Sequence, residues 1–162
     1  MTSIPRMPTA MAEGGAIAGG EHRLAVRVYY EDTDAVGVVY HANYLRFAER
    51  ARTEMMRGLG LEHGSLRGRL GLSFTVRRCV VDYLAPARLD DRLEVRTGIA
   101  RIGGASLDLE QRIVRDDRVL VRMDVRLALI SSALRAVRLP QALLDALAPL
   151  RNAPASNSAM RA

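Results

Sequence analysis

The sequence has one cysteine, no lysine and no long apolar run. Because a single thiol cannot form an internal disulfide framework, a cytoplasmic compartment is expected by default. No stretch approaches the roughly 18 consecutive apolar residues of a membrane-spanning helix, so membrane insertion is not expected. The N-terminus also lacks a basic segment followed by an apolar one, which argues against a secretory signal.

The basic side chains are all arginines, and the formal net charge is +6. A basic excess can indicate affinity for nucleic acid, membrane surfaces or phosphorylated substrates. The arginines are spread along the chain, without a basic run that carries interleaved aromatics, so compositional bias explains them better than nucleic-acid binding. Paired cysteines, a histidine cluster, a G-x-S-x-G elbow and a glycine-rich phosphate loop are all missing, and no metal or cofactor is expected.

The hydrophobic pattern predicts one folded domain over residues 21–150, between a disordered leader (1–20) and a disordered tail (151–162). Apolar spacings of three and four predict a long amphipathic helix over 42–57. Alternating residues predict five strands, the first over 23–30. The other four are predicted at 73–84, 93–99, 107–113 and 119–129, and a short helix is predicted over 140–150.

One helix of about sixteen residues can cover five strands only if the sheet curls around it. The sequence therefore predicts an α+β protein with a five-stranded curved antiparallel sheet wrapped around one long central helix. Gly103-Gly104 and Asp116-Asp117 separate the last three strands at hairpin distance. A change of phase at Arg77-Arg78 predicts a β-bulge, and Cys79, in an apolar phase, is predicted to be buried.

Acidic residues, a glycine and a histidine lie between the first strand and the long helix. The first N–H groups of a helix have no internal partner and carry partial positive charge, so the helix start at His41 could hold an oxyanion. The carboxylate of Asp34 could attack a carbonyl or deprotonate a water. The residues alone leave two interpretations: a hydrolytic site, or turn-forming Asp32 and Asp34 with His41 capping the helix.

Residues 30–44, YEDTDAVGVVYHANY, closely resemble the signature of the hot-dog-fold acyl-CoA thioesterases. The resemblance is greatest to the Tol-Pal-associated thioesterases of the 4-hydroxybenzoyl-CoA thioesterase family. ERARTE at 49–54 and YLAPARLDD at 83–91 are further matches, and the resemblance covers roughly residues 23–132. It implies a hot-dog fold and an enzyme that hydrolyses an acyl-CoA thioester to a free carboxylic acid and CoA.

The resemblance also implies roles for individual residues. Asp34 matches the catalytic aspartate, as nucleophile or general base, and His41 matches the position whose backbone N–H polarises the thioester carbonyl. Tyr30 and Tyr40 match positions that line the site. Arginine suits the phosphates of coenzyme A, and Arg101, just before the glycine turn, is the candidate for binding them.

For assembly, the resemblance implies that the strand over 73–84 lies at a sheet edge and pairs with the same strand of a second subunit, in a homodimer or homotetramer. It further implies association with envelope or phospholipid-synthesis proteins. Family members usually have two glycines where this chain has Val36-Gly37, and valine would be strained if that position required a positive φ. The alternatives are a non-catalytic acyl-CoA-binding or envelope-associated scaffold protein and a hot-dog dehydratase.

Overall fold

A computed structural model of the protein describes residues 13–151, which form one antiparallel sheet and a long helix packed against it. The sheet has six strands in the order β1-β2-β4-β5-β6-β3. The strands are β1 (Ala16–Ala18), β2 (Glu21–Arg27), β3 (Leu72–Tyr83), β4 (Arg92–Ile102), β5 (Ser106–Arg115) and β6 (Arg118–Ser131). The α+β class is therefore confirmed, whereas the predicted number of strands was one too few.

The additional strand is β1, which pairs antiparallel with the start of β2. Gly19 and Gly20, with φ of 61° and 77°, make the tight turn between them, a conformation that costs glycine little. Three residues are too few to show an alternating pattern, which is why this strand was not predicted. Residues 13–20 of the predicted leader are thus ordered; residues 1–12 and 152–162 lie outside the described residues.

The long helix, α1 (His41–Gly58), agrees with its prediction to within one residue at each end. Its predicted apolar face is buried, as expected: Tyr44, Phe47, Ala48, Ala51 and Met55. The fully buried side chain of Gln111 joins this face to the sheet, since its Nε2 donates to the Ala48 carbonyl and to Thr97 Oγ1, both at 3.0 Å. Both donor hydrogens of the amide are therefore used in fixing α1 on the sheet.

The three strands β4, β5 and β6 form the predicted meander. Asp116 and Asp117 at the second hairpin have φ of 49° and 63°, the backbone that a two-residue hairpin turn requires. The β3–β6 register shifts between Val76 and Arg78, which confirms the bulge. Cys79, however, is exposed, so its predicted burial was wrong. β3 is an edge strand, and little in the described chain covers its middle.

Short helical segments complete the domain. Between α1 and β3 lie α2 (His63–Ser65) and a π-helical turn (Leu66–Leu70). The terminal helix is α3 (Gln141–Ala146), followed by a 3₁₀ turn (Ala148–Leu150). Three leucines of this C-terminal segment extend the core: Leu143, Leu147 and Leu150. Within residues 13–151, none of the helices combines the length and hydrophobicity that crossing a membrane requires.

Candidate active site

The loop between β2 and α1 is a compact turn closed by its own backbone. The N–H of Asp34 donates to the Val38 carbonyl (2.9 Å), and the N–H of Gly37 donates back to the Asp34 carbonyl (3.0 Å). Gly37 has φ of 85°, where a side chain would be strained. The sequence therefore needs glycine at this position, and the turn holds Asp34 at a fixed place before the helix.

The Asp34 carboxylate is exposed, and only one of its two oxygens forms a hydrogen bond within residues 13–151. Its Oδ1 accepts the backbone N–H of Val36 at 2.8 Å, which is the local bond that aspartate commonly forms in turns. Oδ2 has no hydrogen-bond partner within residues 13–151. Val36 is not among the described residues with positive φ, and its side chain is 79% exposed, so the strain considered for valine does not arise. One carboxylate oxygen thus fixes the turn while the other is available to a ligand.

Asp32, in contrast to Asp34, is buried, and its hydrogen bonds are all made within the protein. Its buried carboxylate accepts the Tyr29 N–H at Oδ2 and the Asn43 side-chain amide at Oδ1, each at 2.8 Å. Its carbonyl accepts the N–H of Tyr40 at 2.9 Å. Asp32 therefore joins the end of β2 to the first turn of α1, and the turn-forming interpretation applies to it fully.

We expect Asp32→Asn to destabilise the fold by about 1–3 kcal/mol, because an amide can accept at only one of the two positions and its NH₂ group faces a donor at the other. Chemical denaturation of the variant and the parent protein measures the difference. An unchanged unfolding free energy would show that the Tyr29 and Asn43 bonds contribute nothing to stability.

The start of α1 is open to a ligand. His41 is the first helical residue, and no side chain caps the helix at Tyr40. The N–H groups of His41 and Ala42 find no backbone acceptor in the part of the chain that the structure describes. The His41 ring lies 4.5 Å from the Tyr40 ring and 6.4 Å from the Tyr83 ring, centroid to centroid. Two unpaired donors at a positive helix end form a place where an anion or a polarised carbonyl can bind.

Asp34 and His41 line one open groove of about 350 Å³. The other lining residues are largely apolar or aromatic: Val38, Val39, Tyr44, Tyr83, Leu84, Ala85 and Pro86. The groove therefore brings together the two residues predicted as catalytic, beside an apolar wall suited to an organic substrate.

Two tyrosines of this groove were not predicted as site residues. The Tyr83 hydroxyl donates to the His41 carbonyl (3.0 Å), and the Tyr44 hydroxyl accepts the N–H of Ala87 (2.9 Å). Burial raises the pKa of both phenols above the ordinary value of tyrosine. Tyr44 looked like an ordinary core residue, and the signal for Tyr83 was its place at the start of the YLAPARLDD motif.

The three predicted substrate-binding residues lie elsewhere or at the margin. Tyr30 is 82% exposed and does not line the groove; Tyr40 is 47% exposed and reaches it only through its ring contact with His41. Arg101 lies in a separate groove next to the β4–β5 turn. Within one chain the structure therefore unites Asp34 with His41, but not with Arg101.

The matches to known proteins all point to the same family. The model of the thioesterase-like superfamily matches residues 28–147. The chain is 52% identical over 99 residues to the acyl-CoA thioester hydrolase YbgC of Escherichia coli, which covers 61% of this chain and 73% of that protein. It is 48% identical over 103 residues to the acyl-CoA thioesterase YbgC of Haemophilus influenzae, covering 64% and 76%.

Solved structures give the same fold. A probable thioesterase from Bartonella henselae superposes with a TM-score of 0.71 at 41% identity, over 74% of this chain and 99% of that one. A Staphylococcus aureus protein in complex with CoA superposes with a TM-score of 0.78 over 86% of this chain and 90% of that one. At 19% identity, that second likeness concerns the fold alone.

Proposed function

Because the chain belongs to the thioesterase-like superfamily and is a thioesterase, we propose that it hydrolyses acyl-CoA thioesters to a free carboxylic acid and CoA. The observation that carries this proposal is the groove that is lined both by Asp34 and by His41, the uncapped start of α1. Thioester hydrolysis needs a nucleophile or base and a group that stabilises the oxyanion, and this groove contains both.

The helix start supplies the electrophilic half of the site. The substrate's carbonyl oxygen accepts a hydrogen bond from the backbone N–H of His41, at the positive end of the α1 dipole. As the carbonyl carbon becomes tetrahedral, negative charge develops on that oxygen and the hydrogen bond strengthens. The imidazole of His41 contacts the Tyr40 ring at a tilt of 58°, and His41 also lines the groove.

Asp34 supplies the other half through Oδ2, since Oδ1 is engaged by Val36. As general base, it takes a proton from the water that attacks the carbonyl carbon; the C–S bond then breaks and the proton passes to the CoA sulfur. As nucleophile, it attacks the carbonyl carbon, the C–S bond breaks and CoA leaves as a thiolate that takes a proton from solvent; water then hydrolyses the resulting acyl anhydride to the free acid and restores the Asp34 carboxylate. Either route uses the same free oxygen and needs no metal ion.

A thiol-release assay with a series of acyl-CoA substrates tests the proposal. We expect turnover with at least one straight-chain or aromatic acyl-CoA, and the series defines which acyl groups the apolar wall accepts. Saturable acyl-CoA binding with no thiol release from any substrate would contradict the hydrolase proposal and favour the non-catalytic binding protein instead.

We further propose that the protein assembles through its edge strand. β3 has twelve residues, and its outer edge pairs with no other strand of the described chain. A long unpaired edge tends to add a strand, and a second copy of β3 is self-complementary in the antiparallel sense. Sedimentation equilibrium should give at least twice the chain mass of 17.8 kDa at micromolar concentration. A purely monomeric protein would contradict this assembly.

The cytoplasmic location and the association with envelope or phospholipid-synthesis proteins stay predictions. The location is expected from the single cysteine and the lack of a secretory-signal pattern, and the association is implied by the family resemblance. Affinity purification of the tagged full-length protein from its own cells, with fractionation of the lysate, is the measurement that checks them.

A further inference from the structure

The two open N–H groups at the start of α1 belong to successive peptide units, and each unit is held through its own carbonyl. The unit with the His41 N–H contains the Tyr40 carbonyl, which accepts the Asn43 N–H at 2.8 Å. The unit with the Ala42 N–H contains the His41 carbonyl, to which the Tyr83 hydroxyl donates at 3.0 Å. A peptide unit is planar and trans, so its C=O and N–H point in opposite directions. Fixing each carbonyl therefore fixes the direction of the open N–H in the same unit.

The Tyr83 hydroxyl extends from backbone that the sheet holds in place. Tyr83 is the last residue of β3 and pairs with Val121 of β6. The backbone N–H of the next residue, Leu84, donates to the Leu120 carbonyl at 2.8 Å. The Tyr83 ring also packs against the Tyr44 ring, with 5.8 Å between the ring centroids. The phenol thus reaches the start of α1 from a fixed position on the opposite wall of the groove.

The bond from Tyr83 is an addition to the ordinary hydrogen bonds of the helix. In α1 the His41 carbonyl accepts the N–H of Leu45, and its second lone pair accepts the Tyr83 hydroxyl. Helix ends fray, so a second bond at the first residue resists opening where the oxyanion site is proposed to lie. It also polarises the peptide unit, because hydrogen bonds in a chain strengthen one another. The N–H at the other side of this unit therefore becomes a better donor.

We propose that Tyr83 is a positioning residue for thioester hydrolysis: it holds the peptide unit between His41 and Ala42 so that the Ala42 N–H acts as a second oxyanion donor. This inference rests on the proposed function, which uses the His41 N–H alone. Oxyanion sites are commonly built from more than one N–H donor, and two adjacent N–H groups at a helix start can share one oxygen. Since the phenol bonds to the carbonyl side of the unit, Tyr83 acts on the reacting oxygen through the backbone.

Tyr83→Phe tests the proposal, because it removes the hydroxyl and retains the ring. We expect kcat for an acyl-CoA to fall about three- to tenfold, the equivalent of one neutral hydrogen bond. KM should change by less than about twofold, since the bond acts on charge that develops only in the transition state. Steady-state thiol release measures both constants. An unchanged kcat, or a loss confined to KM, would overturn the proposal.

A matched control removes a phenol hydroxyl elsewhere in the same region. Tyr29 is 62% exposed, and its hydroxyl forms no hydrogen bond within the residues that the structure describes. Tyr29→Phe should leave kcat and KM unchanged. An equal fall of kcat in Tyr29→Phe and Tyr83→Phe would mean that the loss does not come from the bond to the His41 carbonyl, and the proposal would be refuted.

The Ala42 amide provides a readout that needs no turnover. In the full-length protein labelled with ¹⁵N-alanine, Tyr83→Phe should shift the Ala42 amide resonance upfield, because the amide loses the polarisation that its peptide unit received from the phenol. The alanine amides of β1 lie in a different part of the sheet and serve as internal references. A general loss of structure would move them too. An Ala42 resonance that stays in place would contradict the proposal whatever the change in rate.

A double-mutant cycle assigns the kinetic effect to the peptide unit itself. Replacing Ala42 by lactic acid converts the unit into an ester and removes its N–H while retaining the methyl group. In that background Tyr83→Phe should lower kcat no further, since the donor that it positions is gone. A full additional loss would show that Tyr83 acts elsewhere. A parent protein that releases no thiol would refute the proposed function and this role together, whereas an active parent with an unmoved Ala42 resonance would refute this inference alone.

Discussion

Asp34→Asn should reduce the rate of acyl-CoA hydrolysis by about 10²–10⁴-fold or more, because an amide can neither accept a proton nor attack a carbonyl. The substitution should also leave the local turn intact. An asparagine keeps the Oδ1 that accepts the Val36 N–H, so the turn that positions residue 34 is preserved. Thiol release monitored with a chromogenic disulfide gives the rate, and the side chain's exposure predicts an almost unchanged melting temperature.

Asp32→Asn is the internal control, since the two aspartates are separated by one residue and have opposite environments. The buried Asp32 is expected to show its effect in unfolding rather than in the intrinsic chemical step. Undiminished turnover by Asp34→Asn, under conditions where it remains folded, would remove Asp34 from the mechanism. The groove would then need another carboxylate, and none other lines it among the described residues.

The second large effect is expected from His41→Pro, which removes one backbone donor from the oxyanion site. Proline is well tolerated as the first residue of a helix, where its missing N–H would have had no helical partner. The preceding residue, Tyr40, has φ of −59° and ψ of 131°, a backbone conformation that proline permits before it. We therefore expect helix α1 to remain intact while kcat falls by about 10²–10³-fold.

His41→Ala separates the backbone from the side chain. Alanine retains the N–H and loses only the imidazole that stands beside Tyr40 and Tyr83. We expect the alanine variant to be much more active than the proline variant when both are measured with the same acyl-CoA. Equal losses in the two variants would mean that the imidazole, and not the helix N–H, acts on the substrate.

Much of the fold could be predicted because its long elements have strong periods. Helix α1 has an apolar face, and β6 alternates throughout its length, so packing and propensity agree in each. The bulge near Arg78 was also visible as a change of phase. The strand β1 was missed since three residues have no measurable period. The exposure of Cys79 was missed because alternation shows which residues share a face, but not whether another element covers that face.

Some residues of the candidate site could likewise be predicted from the sequence, and others could not. Asp34 and His41 are close in sequence and joined by a short turn, so their shared groove could be expected from spacing and family resemblance together. Tyr83 reaches them from a strand more than forty residues later, and sequence reasoning did not assign it to the site. Arg101 lies in a different groove from Asp34 in the same chain, because a basic residue on a sheet can lie at either end and its phase does not indicate which; its proposed role stays a prediction.

If copies join through the edges of the sheet as proposed, the unequal lengths of those edges limit how many can do so. One edge is the twelve-residue β3, but the other is β1, which has only three residues. Growth at both edges would produce an open-ended polymer, whereas antiparallel pairing of β3 with β3 uses the same edge of each subunit and closes after two. The three residues at the far edge thus favour a finite particle, and a variant with a lengthened β1 would be at risk of forming fibres.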